Sequence, residues 1–323
     1  MKLPQSTVLE PYLDCIPIIN VNEGGSSVNY QKRPLAPGLY FVATPIGAAR
    51  DITLRALDVL ASADVIAAED TRSLRKLMDI HGVPLGERRI IAYHDHSGEG
   101  ATARLMAAIE AGQSVAYASE AGMPLIADPG FELSRAAGEA GFLVTAAPGA
   151  SAALMALTLG GLPSDAFFFA GFLPSAKSAR RTKLQALTDI PGTLIFYESP
   201  KRLAASLADM AEVLGEGRSA AICREMTKKF EETRRGSLET LRDHYRDAST
   251  KGEIVILVDR GRKEKISDSA LEAEMKELLG AHSVRDTADL MSRRHDLPRR
   301  KLYQMALALS KEMNHDDDAG NSG

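Results

Sequence analysis

The chain has 323 residues, with 39 lysines and arginines against 43 aspartates and glutamates and a formal net charge of −4. That length accommodates two α/β domains and a small appendage, and 45% hydrophobic with 25% charged residues is an ordinary globular composition. The charge balance excludes a surface coated in basic residues, and no apolar run approaches the roughly 20 residues of a membrane span. Two cysteines, Cys15 and Cys223, exclude a disulfide framework or a four-ligand zinc centre and suit a reducing cytoplasm.

Residues 1–36 lack a continuous apolar h-region and read as a flexible extension rather than a secretory signal. From Gly38 short apolar runs alternate with helical periodicity. "LYFVA" is strand-like, and "DITLRALDVLA" follows as a helix with Asp51 as N-cap and Leu54, Leu57 and Ala61 on one face. "DVIAAED", "RRIIAYH", "SVAYA" and "FLVTAA" continue as strands. "TRSLRKLMDI", "TARLMAAIEAG", "GFELSRAAGEAG" and "SAALMALTLGG" alternate with them as helices. This order predicts an α/β domain over 37–160 with a mostly parallel sheet.

Over 161–262 the strands "FFFAGF", "GTLIFYES", "RSAAICRE", "EETRRGS" and "GEIVILVD" predict a second α/β domain with a mixed sheet, with helices at 176–188, 200–214 and 237–246. Two such domains invite a ligand cleft between them. Residues 263–312 hold three short helices resembling a helix-turn-helix bundle, with Ser283 as a cap and Pro298 at a helix start. Arg285, Arg293, Arg294, Arg299, Arg300 and Lys301 outnumber the local acids, which favours polyanion contact, although a dimerisation bundle would look the same. The tail, 313–323, reads as disordered.

There is no P-loop. "GEGATA" satisfies G-x-G-x-x-A, but "HDHS" separates it from the strand end, unlike a dinucleotide loop. His94, Asp95 and His96 suggest a metal pair without a third ligand at standard spacing, or polar catalytic lining; no metal is assigned. The strand ends are more specific, because ligands in doubly wound sheets bind there. Pro45 and Gly47 end the first strand, and glycine lets a ligand approach the backbone. Glu69, Asp70 and Arg72 end the second, either as functional groups or as a pair capping the next helix. Ser119, Glu120, Ala121, Gly122, Met123 and Pro124 follow the fourth, and Pro148, Ser151 and Ala152 follow the fifth. Such a rim suits a ligand with a flat ring and a ribose. The second domain brings Tyr197, Glu198, Arg202, Arg224, Glu225, Lys228 and Glu232 near strand ends, where solvated loops are the plainer explanation of any one.

The runs "GLYFVATPIGAARDITLRALDVLASADVIAAEDTR", "ASEAGMPLIADPG", "APGASAALMAL", "GLPSDAFFFAGFLP", "FYESPKRL", "REMTKKFEE" and "KGE" together resemble the bacterial RsmI-type methyltransferases, within the tetrapyrrole-methylase-like class of S-adenosylmethionine enzymes. The resemblance spans about Gly38 to Gly261, in order. It implies a two-domain α/β tetrapyrrole-methylase-like fold, S-adenosyl-L-methionine in the interdomain cleft, and a homodimer. It also implies methylation of a ribose 2′-hydroxyl on a decoding-region cytidine, position 1402, of 16S ribosomal RNA in the small subunit. Residues 119–124 match the cofactor loop usually written S-D-A-G-T-P, with Glu120 for aspartate and Met123 for threonine. Ala48 stands where an asparagine is common.

A sulfonium-bound methyl is already activated, so the protein's work is alignment of the reacting atoms and help for a weak hydroxyl nucleophile. Glu69, Asp70, His94, Glu198, Glu225 and Lys228 are the candidate contributors, with His94 or a carboxylate as base and Lys228 and Arg72 as electrostatic helpers. Arg180, Arg181, Lys229, Arg234, Arg235 and the bundle are expected at RNA. A precorrin methylase, a non-catalytic RNA-binding assembly protein and a dehydrogenase remain the rival readings.

Overall fold

The structure is a computed structural model that describes residues 20–21, 27–94, 98–261, 268–295 and 297–320. It divides into two compact units, Met1–Arg260 and Gly261–Gly323. Before the first sheet, β1 (Asn20–Val21) and β2 (Ser27–Val28) pair antiparallel. Residues 30–36, expected to be part of a flexible extension, are anchored. Tyr30 and Leu35 pack on the first core, while Gln31 N donates to Asp58 Oδ1 at 2.6 Å and Arg33 N to Ser62 Oγ at 3.0 Å. The apolar residues and backbone donors of this stretch find partners that composition alone does not reveal.

The first sheet contains β3 (Gly38–Val42), β4 (Val65–Ala68), β5 (Ile90–Ala92), β6 (Ser114–Ala118) and β7 (Leu143–Ala147), all parallel, in the order β5-β4-β6-β3-β7. Helices α1 (Leu54–Ser62), α2 (Thr71–Ile80), α3 (Gly98–Glu110), α4 (Phe131–Glu139) and α5 (Ala152–Gly160) follow the strands in turn. Side chains alternate across the sheet. Tyr40, Val42, Ala116 and Ala118 face α1 and α2, whereas Leu39, Phe41, Val115 and Tyr117 face α3 and α4. Both faces are covered, which is why these strands read as continuous apolar runs. Asp51 is not the N-cap of α1. Ala49–Asp51 form a short 3-10 turn, the helix starts later, and Thr53 Oγ1 accepts from Ala56 N at 3.2 Å. Leu54 is consequently a first-turn residue, 59% exposed, and the buried stripe begins at Ala56 and Leu57.

The second sheet contains β8 (Phe167–Phe172), β9 (Thr193–Glu198), β10 (Ser219–Arg224), β11 (Glu232–Ser237) and β12 (Ile254–Val258), in the order β11-β10-β12-β9-β8. Only the β8–β9 pair is parallel, so the sheet is mixed as expected. Helices α6 (Lys177–Leu187), α7 (Leu203–Leu214) and α8 (Leu238–Tyr245) cover one face through Leu184, Leu207, Met210 and Leu241. The other face receives α5: Ala153, Ala156 and Leu157 pack on Ile195, Ala221 and Leu257. A Cβ on Gly160 would lie 2.2 Å from Leu257 Cδ1, so the glycine permits this close helix–sheet contact. Thus α5 follows the last strand of the first sheet but packs on the second.

In the other unit, α9 (Asp268–Leu279), α10 (Val284–His295) and α11 (Arg299–Gly320) enclose Leu271, Met275, Ala288, Met291, Leu302 and Ala306. Ser283 Oγ accepts from Asp286 N at 3.2 Å, the expected cap. Helix α11 runs on to Gly320, through most of the segment read as a disordered tail. No proline or glycine interrupts it between Pro298 and Gly320.

Candidate active site

The carboxyl end of β3 organises the site. Thr44 N donates to Gly122 O and Gly122 N to Thr44 O, each at 3.0 Å, folding the loop after β6 back onto the strand. Ser119 Oγ donates to Gly122 O at 2.6 Å and Thr44 Oγ1 to Ser119 O at 3.3 Å. Glu69 Oε2, at the end of β4, accepts from Glu120 N at 3.4 Å. Gly122 adopts φ +86°, which favours glycine. Further along, Leu125 and Ala127 have φ of 69° and 63°. Across the site, Glu225 and Thr227 after β10 have φ of 49° and 63°. Among the described residues these four are the only non-glycines with positive φ, a conformation costing roughly 1–2 kcal/mol per residue. Their confinement to two facing loops points to function there.

Between these loops lies a cavity of about 430 Å³. Residues 120–123, 126–128, Ser151 and Ala152 form one wall; Phe172, residues 197–200, Met226 and residues 252–255 form the other, and Ile46 also contributes. Ile46, Met123, Ile126 and Met226 supply apolar surface, while Glu120, Asp128, Ser151 and Glu253 supply polar groups. Tyr197 packs edge-on against Phe169 and Phe172, with centroids 4.9 and 5.7 Å away. Burial pushes its phenol pKa up, against a backbone hydrogen bond from Ala153, so the hydroxyl keeps its proton at neutral pH.

Residues 38–242 match the family model of tetrapyrrole (corrin/porphyrin) methylases, and residues 266–310 match the RsmI C-terminal HTH domain. The chain belongs to the tetrapyrrole methylase family, RsmI type. "Ribosomal RNA small subunit methyltransferase I" of Mesorhizobium japonicum is 56% identical over 227 residues, covering 70% of this chain and 76% of that protein. The protein of the same name from Synechocystis is 40% identical, covering 85% and 99% respectively. The fold is shared with solved structures of diphthine synthase (16% identity, TM-score 0.54, 68% of this chain and 89% of that one) and the methyltransferase CobJ (18%, 0.51, 69% and 94%).

Within this methylase fold, eight of the residues expected at the site line the cavity: Glu120, Ala121, Gly122, Met123, Ser151, Ala152, Tyr197 and Glu198. Pro45, Gly47, Ser119, Pro124 and Pro148 lie outside its lining. Gly47 makes room for protein, because a Cβ there would sit 2.5 Å from Thr227 Oγ1 and 2.7 Å from Lys228 Cγ. Ser119 is buried and braces the loop. The Pro148 carbonyl accepts from Thr53 Oγ1 at 3.3 Å.

The charged candidates separate further. Asp70 caps α2: the backbone N–H groups of Arg72 and then Ser73 hold its carboxyl below the usual range. Arg72, with its side chain 93% exposed, is 3.7 Å from Asp70. The capping alternative is therefore the geometry observed. Glu198 accepts from Ser199 N at 2.8 Å and Ser206 Oγ at 2.5 Å and pairs with Arg202 at 2.9 Å, which occupies the lone pairs a base needs. The Glu225 carboxyl is lowered chiefly by the Glu253 backbone N–H and then by Lys228. Burial works against the Lys228 charge, but hydrogen bonds to Glu253 and Glu225, at 3.0 and 3.1 Å, raise its pKa overall. His94 lines a second cavity that shares Asp128 with the first. Asp95 and His96 lie outside the described residues.

Several expected RNA contacts are structural. Arg180 is 5% exposed and pairs with Asp209 at 2.6 Å. Arg235 donates to Gly160 O at 3.1 Å and to Leu159 O, satisfying the last carbonyls of α5. Arg181 pairs with Glu212 and Arg234 with Glu232. Lys229 lies 5.6 Å from the centroid of the exposed Phe230 ring. An open basic surface on α2 and the segment before β5, with Arg72, Arg75, Lys76 and Arg89, was not anticipated as a unit. Ile46, Asp128, Met226 and Glu253 were also missed as cavity lining. The Asp-Pro-Gly turn at 128–130 and the Lys-Gly-Glu turn at 251–253 were the available signals.

Proposed function

We propose that the chain transfers a methyl group from S-adenosyl-L-methionine to the ribose 2′-hydroxyl of a decoding-region cytidine, position 1402, in 16S ribosomal RNA. The observation that carries the reading is the cavity framed by strained loops at the strand ends. Homologues named ribosomal RNA small subunit methyltransferase I support the substrate class.

The residues present fit the cofactor. A cavity of about 430 Å³ is in the usual range for a ligand of this size. Ile46, Met123 and Met226 offer contacts to a flat ring, and Glu120 and Asp128 offer acceptors to ribose hydroxyls. The amino end of α5, at Ser151 and Ala152, presents backbone donors suited to a carboxylate. When bound, the cofactor supplies a methyl group activated by its sulfonium charge. The chain's own task is to hold the ribose in line and to take the hydroxyl proton. His94 is the base in this reading, because it lines the cavity that meets the first at Asp128, whereas Asp70, Glu198 and Glu225 serve as structural groups. Lys228 orders the loop that carries Met226 into the wall.

The decisive experiment is mapping of ribose methylation on 16S RNA from a deletion strain, with and without this chain restored, together with calorimetry for the cofactor. Restored modification and cofactor binding support the reading; absence of both overturns it. A precorrin substrate has the broad methylase family model and the shared fold behind it, against relatives that carry a ribosomal RNA methyltransferase name. Cofactor binding separates the enzyme readings from a non-catalytic RNA-binding protein. A homodimer is part of the reading: Phe167, Phe168 and Phe172 are exposed on the edge strand β8, and sedimentation would show the dimer. No described helix is long and apolar enough to cross a membrane.

A further inference from the structure

The second cavity, of about 690 Å³, adjoins the first through Asp128 and is lined by His94, Phe131, Glu132 and Arg135 among others. Phe131 opens α4 and is 63% exposed, although Leu133 and Ala137 of the same helix are fully buried. The Arg135 guanidinium lies 5.8 Å from the Phe131 ring centroid, held by Glu132 at 2.6 Å and Glu139 at 4.0 Å. An exposed ring fixed at a cavity wall offers a stacking surface. The charge around it is selective. Asp128, Glu132 and Glu139 outnumber Arg135, so a phosphate is disfavoured and a neutral ring carrying hydrogen-bond donors is favoured.

We propose that this cavity seats an unpaired cytosine, with its ring stacked on Phe131 and its exocyclic amine donating to Glu132. Carboxylates accept from the cytosine amine, whereas uracil turns a carbonyl oxygen toward the same group and is repelled. A base is joined to its ribose by one bond. Seating the base here therefore brings its ribose to the boundary at Asp128, beside the cavity assigned to the methyl donor. The base must leave its stack to enter, as in other enzymes that act on a single nucleotide. This inference rests on the cytidine 2′-O-methylation proposed above and assigns Phe131 and Glu132 as substrate-positioning residues.

The test is single-turnover methyl transfer to small ribosomal subunits carrying either cytidine or uridine at the target, using the wild-type chain and the F131A, F131W and E132Q variants. F131A is expected to lower kcat/KM about tenfold, with F131W close to wild type and the affinity for S-adenosyl-L-methionine unchanged in both. E132Q is expected to narrow the preference for cytidine over uridine, because its amide both accepts and donates. F131A at the wild-type rate, or E132Q with its preference intact, overturns the inference while leaving the methyltransferase reading standing. A wild-type chain that modifies neither target removes both.

Discussion

The backbone N–H of Ala48 donates to Thr227 Oγ1 at 3.0 Å, tying the end of the first parallel strand to a strained loop from the second sheet. Gly47 stands beside this bond, and the same loop fills the space a side chain would take. Gly47→Ala is therefore expected to displace residues 226–228 and to cost about 1–3 kcal/mol of stability. Because Met226 lines the cavity, cofactor affinity falls as well. Thr227→Val removes only the hydrogen bond and should cost about 1 kcal/mol. Urea denaturation and cofactor calorimetry on both variants check the pair; an unaltered midpoint in Gly47→Ala would contradict the packing argument.

Arg180 was an attractive RNA contact in a basic run, yet its Nε donates to buried Asp209 at 2.7 Å and its Nη1 to Ser175 O at 3.1 Å. Removing one partner leaves the other as an uncompensated buried charge. Arg180→Ala is expected to destabilise the chain by about 3–5 kcal/mol. Once the variant is folded at low temperature, the salt dependence of its binding to ribosomal subunits should match that of wild type. A shallower salt slope would instead return Arg180 to the RNA interface.

The strands were legible because alternating side chains serve two cores: Tyr40 and Val42 enter one, Leu39 and Phe41 the other. The cavity loop at 119–124 was legible through its small residues and glycine at a strand end. Partner identity was not. Gly47 signals a close approach, but the approaching group, Thr227, is 180 residues further along the chain, so ligand and protein are indistinguishable from the local pattern. Asp70 beside Arg72 was ambiguous for a chemical reason, since a helix cap and a catalytic carboxylate both suit the turn after a strand. Arg180 in "SARRTK" was expected at RNA because its buried partner, Asp209, lies on the next helix and is not visible in the local pattern.

Glu225 predicts a pH response. Its carboxyl is held below the ordinary glutamate value of 4.5, first by the Glu253 backbone N–H and then by Lys228. A lowered folded-state value means that this group's stabilising contribution is complete above the unfolded value and disappears as pH falls through the folded one. Comparing wild type with Glu225→Gln by denaturation at a series of pH values isolates this contribution. The wild-type advantage should be constant from pH 7 to about pH 5 and shrink below that. An advantage that grows on acidification would reverse the sign and exclude the assignment.

Arg72 and Lys76 project from α2 into an open basic surface that also includes Arg89. Their neighbours are committed elsewhere: Arg75 pairs with Asp79 at 3.2 Å, and Arg88 donates to Leu60 O and Ala63 O at 2.8 Å each. Arg72 itself has a 93% exposed side chain, and its 3.7 Å approach to Asp70 is a screened surface contact. A pair of exposed cations on one helix suits phosphate contact, which releases counterions and makes binding steeply dependent on salt. Arg72→Ala and Lys76→Ala are each expected to weaken subunit binding and to reduce the log–log salt slope by about one. Neither removes a wall of the cavity, so cofactor affinity should be unchanged. Equal slopes for wild type and the double variant would place the RNA on another face.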